Sequence, residues 1–169
     1  MEKLIPLEDA TSNEKSVLDY VRGMQFFSEL DQDELVSVTQ WIKAYKAKSG
    51  TTVFEEGSQS PHLCLIAEGE ISIFKEISDS EYLKVADIKA GGSIGEMGIL
   101  DGKPVSASAI ASVDSVVFII SGEDFEKLVS ENEKLGVKLL WKIGKIISLR
   151  LRKTTGLLAE ISISKSDDN

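Results

Sequence analysis

The sequence predicts a mainly β fold with flanking helices: an antiparallel barrel or roll, preceded by two helices and followed by a long one. Three observations carry this reading. Residues 50–120 hold at least six short runs rich in β-branched residues, TTVF, LCLIA, EISIFKE, YLKVADI, VSASAIA and SVVFII, divided by EEGSQSP, EG, SDS and a glycine cluster. Short strands at such close spacing suit a compact closed sheet. The segments on either side show instead the three- and four-residue apolar spacing of helical faces. At 169 residues and 42% hydrophobic content, the chain suffices for the core of one domain.

Taken in order, residues 1–15 are polar and unpatterned and are expected to form a loose lead-in. Helices are expected over 16–48. Val17, Leu18, Val21 and Met24 line one face; Asp31 and Glu34 form a capping box ahead of a stripe of Leu35, Val38, Trp41, Ile42 and Tyr45. The β body spans 50–120, and helices return over 122–161 with Ser121 as a cap and Gly122 and Asn132 as starts or breaks. Leu140, Ile143, Ile147, Arg150, Thr154, Leu157 and Ile161 follow one another at spacings of 3, 4, 3, 4, 3 and 4, the seam of a helix that pairs with another helix. That seam is consistent with packing on the β body or with a dimer. Trp141, Ile146, Leu149 and Leu151 give the helix more apolar surface than one stripe needs, which favours the dimer. A polar tail is expected over 162–169.

Composition narrows the function classes. The net charge of −9 opposes general affinity for nucleic acid. Lys134, Lys138, Lys142, Lys145, Arg150, Arg152 and Lys153 nevertheless form a purely basic segment, either a solvated face or a surface for an anionic ligand or acidic partner. Cys64, the only cysteine, lies in an apolar run and reads as a small core residue. The apolar runs fall short of the roughly 18–20 residues that span a bilayer, and the first residues lack a signal peptide's apolar segment, so a cytoplasmic protein without a membrane span is expected. Enzymatic chemistry lacks its usual groups. His62 is the single histidine, too few for a metal cluster of the usual kind, and no serine or cysteine has a histidine base at recognisable spacing. No catalytic or metal-binding residue, and no required cofactor, is assigned.

Three segments carry a family resemblance: GMQFFSELDQDEL, TTVFEEGSQSPHLCLIAEGEISIF with Gly57 and Gly69 in its turns, and GGSIGEMGILDGKPVSASA. Their order and spacing resemble the cyclic nucleotide-binding domain of the catabolite activator and protein kinase A regulatory subunit superfamily. The resemblance implies an antiparallel β-roll, a jelly-roll-like double-stranded β-helix, with N-terminal helices and a long C-terminal helix. It also implies that residues 95–106 form the cassette for a cyclic nucleotide, cAMP or cGMP. Gly95 would let the backbone approach the ligand, and Met97, Gly98 and Ile99 would open a short helix whose N–H groups face the phosphate. Glu96 matches the carboxylate that accepts a hydrogen bond from the ribose 2′-hydroxyl; a carboxylate is an acceptor-only group and reads a donor. Ser106, with Ala107 beside it, matches the phosphate-facing stretch.

One position departs from the family pattern. Where the family places an arginine against the cyclic phosphate, this chain has Val105. A hydrogen bond to a charged group is worth about 1.5–3 kcal/mol, so the loss weakens cyclic nucleotide binding by roughly 10- to 1,000-fold. Lys103, or Arg150 from the long helix, would be a substitute cation. The resemblance also sets Thr154 and Thr155 at the nucleobase. Two readings follow. The chain is a non-catalytic sensor holding a cyclic nucleotide or related effector and signalling through its C-terminal helix, or it is a degenerate domain serving as a dimerisation or interaction scaffold. In either, a homodimer through that helix or a protein partner is expected. After Ile161 only eight residues remain, too few for a helix-turn-helix, so no direct DNA binding is expected.

Overall fold

The structure, a computed structural model, describes residues 4–7, 16–59, 61–78 and 81–167. Two antiparallel sheets form the body. Strands β1 (Ile5–Pro6), β2 (Lys43–Ala47), β9 (Ser115–Ser121), β4 (His62–Glu68) and β7 (Ser93–Ile94) lie side by side in that order. The second sheet runs β3 (Thr52–Phe54), β8 (Ser108–Ala111), β5 (Glu70–Ser78) and β6 (Glu81–Lys89). The expected β-roll is therefore present.

Strands β4 and β9 read as nearly unbroken apolar runs because both of their faces are covered. Cys64, Ile66, Val117 and Ile119 point into the roll with Val53, Phe54 and Ile71. Their neighbours Leu63, Leu65, Phe118 and Ile120 point the other way, into a second core capped by the helices. Residues alternate between faces along a strand, so one pair of strands serves both cores. Burial pushes the Cys64 thiol far above its ordinary range, with the nearby Glu96 carboxylate adding to the effect, which leaves Cys64 an inert part of the core.

The N-terminal helices follow their caps. In α1 (Val17–Gly23) Ser16 and Asp19 form a capping box, and in α2 (Gln32–Thr39) Asp31 and Glu34 form another; a 3₁₀ turn over Gln25–Phe27 joins them. The sequence expectation overruns here, since helix stops at Thr39 and Lys43–Ala47 is a strand. Leu35, Trp41 and Ile42 still pack on the core, but Tyr45 is registered opposite Val117 in the ladder. Pairing with β9 satisfies the backbone of this segment and outweighs its helical apolar spacing. The lead-in also differs. Leu4 is buried, and Ile5 and Pro6 pair with Lys46 and Tyr45, so this short piece is the edge of the sheet. The rest of the expected loose segment, 1–3 and 8–15, lies outside the described residues.

Helix α4 (Gly122–Glu131) is capped by Ser121, whose hydroxyl accepts from the Asp124 N–H. Asn132 closes it and starts α5 (Glu133–Asp167), its Oδ1 accepting from the Leu135 N–H. Gly136 brings the two helices together: a Cβ there would meet the Val129 Cα at 2.9 Å. Along α5, Leu135, Leu139 and Ile143 are buried, and Leu140, Ile146 and Ile147 pack against the same core. Beyond Ile147 the helix runs into solvent, with Leu149, Leu151, Leu157, Leu158 and Ile163 exposed. The first half of the predicted seam is thus core, while Thr154 and Leu157 are bare; the Ile161 side chain lies outside the described residues. Helix continues to Asp167 through most of the expected polar tail.

Part of the basic segment finds its acids inside the chain. Lys138 and Lys134 reach Glu34 at 2.6 and 3.1 Å, and Lys145 reaches Glu29 at 3.0 Å. These lysines recur on one side of α5 and fasten it to the N-terminal helices.

Candidate functional site

Glu96 owes its place to the residues before it. Strand β7 pairs with β4 through Ser93↔Leu65 and Ile94↔Cys64, which anchors the chain in the sheet. Gly95 then turns it with φ of 84°, a left-handed conformation that side chains disfavour. The turn also needs the missing Cβ, which would lie 2.0 Å from the His62 carbonyl oxygen. From there α3 (Glu96–Asp101) begins, closed by Gly102 at φ of 64°. Glu96 opens this short helix, one residue earlier than the sequence reading set its start.

The Glu96 carboxylate is 1% exposed and is met from two sides. The Ser93 hydroxyl donates to Oε1. Arg150 comes from α5 and donates from Nη1 to Oε2 at 2.8 Å, while its Nη2 donates to the Ser93 carbonyl at 2.6 Å. One guanidinium therefore clamps both the first residue of β7 and the start of α3. An ionised carboxylate in such a place is tolerable only with partners of this kind. Arg150 itself is 44% exposed and lies just past the last core residue of α5.

The other end of the cassette is apolar and tied to the backbone. The Val105 N–H donates to the Ser58 carbonyl at 3.0 Å, and its carbonyl accepts from the Gly57 N–H at 2.8 Å. Its side chain packs against the roll core. Ser106 is exposed and Ala107 half-buried. The Ser106 carbonyl accepts from the Lys75 ammonium at 2.9 Å, and Lys75 also pairs with Glu56. That pairing holds the Glu56 carboxyl below its usual range. Lys103 is mostly exposed, with its ammonium 3.9 Å from Asp101.

A sequence model matches residues 45–132: that of the cyclic nucleotide-binding domain. The chain belongs to this family. Among curated relatives, the cAMP-dependent protein kinase regulatory subunit of Blastocladiella emersonii is 24% identical over 106 residues, 63% of this chain and 26% of that protein. The chain thus spans about a quarter to a third of the first protein kinase regulatory subunits it matches. Among solved structures, a cyclic nucleotide-binding domain from Methylobacillus flagellatus superposes with a TM-score of 0.79 at 26% identity, covering 94% of this chain and 89% of that one. The regulatory subunit of a cAMP-independent protein kinase A from Trypanosoma cruzi, bound to guanosine, shares the fold with a TM-score of 0.61 at 20% identity, over 68% and 40% of the two chains.

Within this cyclic nucleotide-binding domain, the structure brings together Gly95, Glu96 and Arg150, and joins Val105 to the Gly57–Ser58 turn. Gly98 sits against Pro61, where an added Cβ would lie 3.2 Å away, and Met97 is exposed. Thr154 and Thr155 are not drawn into this cluster. Both are exposed, and their hydroxyls donate to the carbonyls of Arg150 and Leu151 within α5, as threonines in helices commonly do. Sequence reasoning missed Ser93, although its spacing of three from Glu96 was a readable sign of a carboxylate partner. It also missed Lys75 and Glu56, which meet across the sheet with no local signal. Among the described residues, no helix is long and apolar enough to cross a membrane.

Proposed function

We propose that this domain is a non-catalytic regulatory module whose 95–106 cassette receives a ribose-bearing effector, a cyclic nucleotide or a relative of one, and whose α5 carries the response. The observation that supports this reading is the Arg150–Glu96 pair. The carboxylate assigned to read the effector's ribose is the same group that holds α5 to the cassette. An effector hydroxyl that shares or displaces the guanidinium alters the hold on the helix, and by linkage the helix position alters effector affinity equally. Beyond Arg150 the exposed apolar residues Leu151, Leu157 and Leu158 offer a surface on which a second copy would pair, which would turn a local change into an altered dimer.

Val105 weakens the case for tight cyclic nucleotide binding in the usual manner, because the phosphate loses its cationic partner. The alternative, a scaffold without a ligand, draws its support from the same exposed stripe. Titration calorimetry and thermal unfolding with cAMP, cGMP, adenosine and guanosine test the effector reading. Heat and stabilisation with at least one of them are expected; neither, up to millimolar concentration, overturns it in favour of the scaffold.

A further inference from the structure

We propose that the cassette's effector is an uncharged nucleoside with free 2′ and 3′ hydroxyls, in preference to a cyclic nucleotide. This rests on the reading of residues 95–106 as an effector site, and two features of the structure carry it.

The first is charge. Among the described residues, Arg150 is committed to Glu96 at 2.8 Å and Lys75 to Glu56, while Lys103 is 78% exposed with its ammonium 3.9 Å from Asp101, a solvated charge that adds little to a ligand's binding. Val105 presents an apolar side chain, packed on the roll core, at the family's phosphate position. Helix α3 is only six residues long, so its dipole is a weak substitute for a cation. A cyclic phosphate entering here would give up water for no more than a solvent-screened lysine, or would have to strip Arg150 from the buried Glu96, which then stands unpaired. A neutral ligand faces neither cost.

The second is the count of acceptors. A carboxylate offers about four lone-pair sites. On Glu96, whose side chain is 2% exposed, the Ser93 hydroxyl takes one and Arg150 another, so two remain, to be reached by a ligand that enters beside the half-exposed guanidinium. A ribose cis-diol brings two O–H donors and satisfies both. In a 3′,5′-cyclic nucleotide the 3′ oxygen is esterified and cannot donate, so one buried acceptor site goes without a partner. The site thus matches the sugar of a free nucleoside better than that of its cyclic phosphate at both ends.

Calorimetry on the full chain decides, using adenosine, guanosine, their 3′,5′-cyclic monophosphates, and the 2′-deoxy and 3′-deoxy nucleosides. At least one nucleoside is expected to bind about tenfold or more tightly than its own cyclic monophosphate, and loss of either hydroxyl to weaken it by about tenfold. Val105→Arg, checked for folding by thermal unfolding, is expected to reverse the order; should it not fold, the deoxy series on the natural chain decides alone. A cyclic monophosphate that binds as tightly as its nucleoside, or affinity indifferent to the hydroxyls, overturns the inference while leaving the effector reading in place. Absence of binding by all of these ligands overturns both.

Discussion

Arg150 on the long helix and Glu96 at the start of the cassette, 54 positions apart in sequence, form a 2.8 Å hydrogen-bonded ion pair, and the same guanidinium grips the Ser93 carbonyl at 2.6 Å. Arg150→Ala removes three things together: the cation beside a buried carboxylate, the tether on β7, and the last hold of α5 on the domain. The carboxylate is buried but the arginine is nearly half exposed, so solvent offsets part of the loss. A destabilisation of about 1–3 kcal/mol is expected in urea unfolding, and Arg150→Lys should recover only part of it because an ammonium cannot bridge both acceptors.

The lysine contacts of α5 predict an acid response. Glu34 is held at about 2, down from 4.5, first by the hydrogen bond from Lys138 and then by the Asp31 N–H. A carboxyl lowered in the folded state contributes stability that is fully present above its unfolded value and is lost as pH falls toward the folded one. Unfolding free energy should therefore fall between pH 4.5 and about 2, and Glu34→Gln should flatten that limb while lowering stability at neutral pH.

Gly95→Ala tests the turn that presents Glu96. The left-handed backbone alone disfavours a side chain by roughly 1–2 kcal/mol, and the methyl would collide with the His62 carbonyl. A loss above about 2 kcal/mol in chemical denaturation is expected. Gly98→Ala, whose new atom sits 3.2 Å from the Pro61 Cβ, should be milder.

Two leucines of α5 separate its packing on the core from the proposed dimer contact. Leu139 is 1% exposed, so Leu139→Ala should cost about 2–5 kcal/mol of stability. Leu158 is 60% exposed, and Leu158→Ser should leave monomer unfolding within about 0.5 kcal/mol while weakening self-association in sedimentation equilibrium.

Much of the architecture was legible because it is written in local chemistry. The Asp31–Glu34 capping box, the Ser121 cap and the strand runs of the β body appear where their residue types demand, whereas the Ser16–Asp19 box was not read. The Gly95 turn and the short helix after it were legible through a resemblance carried by contiguous residues. Apart from the Ser16–Asp19 box and Ser93, which are local, what escaped depended on distant partners. Lys43–Ala47 has a helix-like apolar spacing and became a strand because β9 was there to pair with it. The seam of α5 reads as one pattern but meets two environments, with Leu140 and Ile147 against the core and Leu157 in solvent. Changes at Leu140 or Ile147 would therefore disturb the fold as well as any dimer. The Lys75–Glu56 contact and the acids that pair with Lys134, Lys138 and Lys145 are likewise products of topology.

The coupling of cassette and helix is tested most directly by hydrogen exchange of the amides in 148–160, with and without the tightest-binding of the nucleosides and cyclic nucleotides. In the natural chain, ligand is expected to change their exchange along with that of the cassette, and Arg150→Ala is expected to abolish the change on the helix. A ligand that protects residues 95–106 while the amides of 148–160 exchange at the same rate as in the free protein would contradict the account.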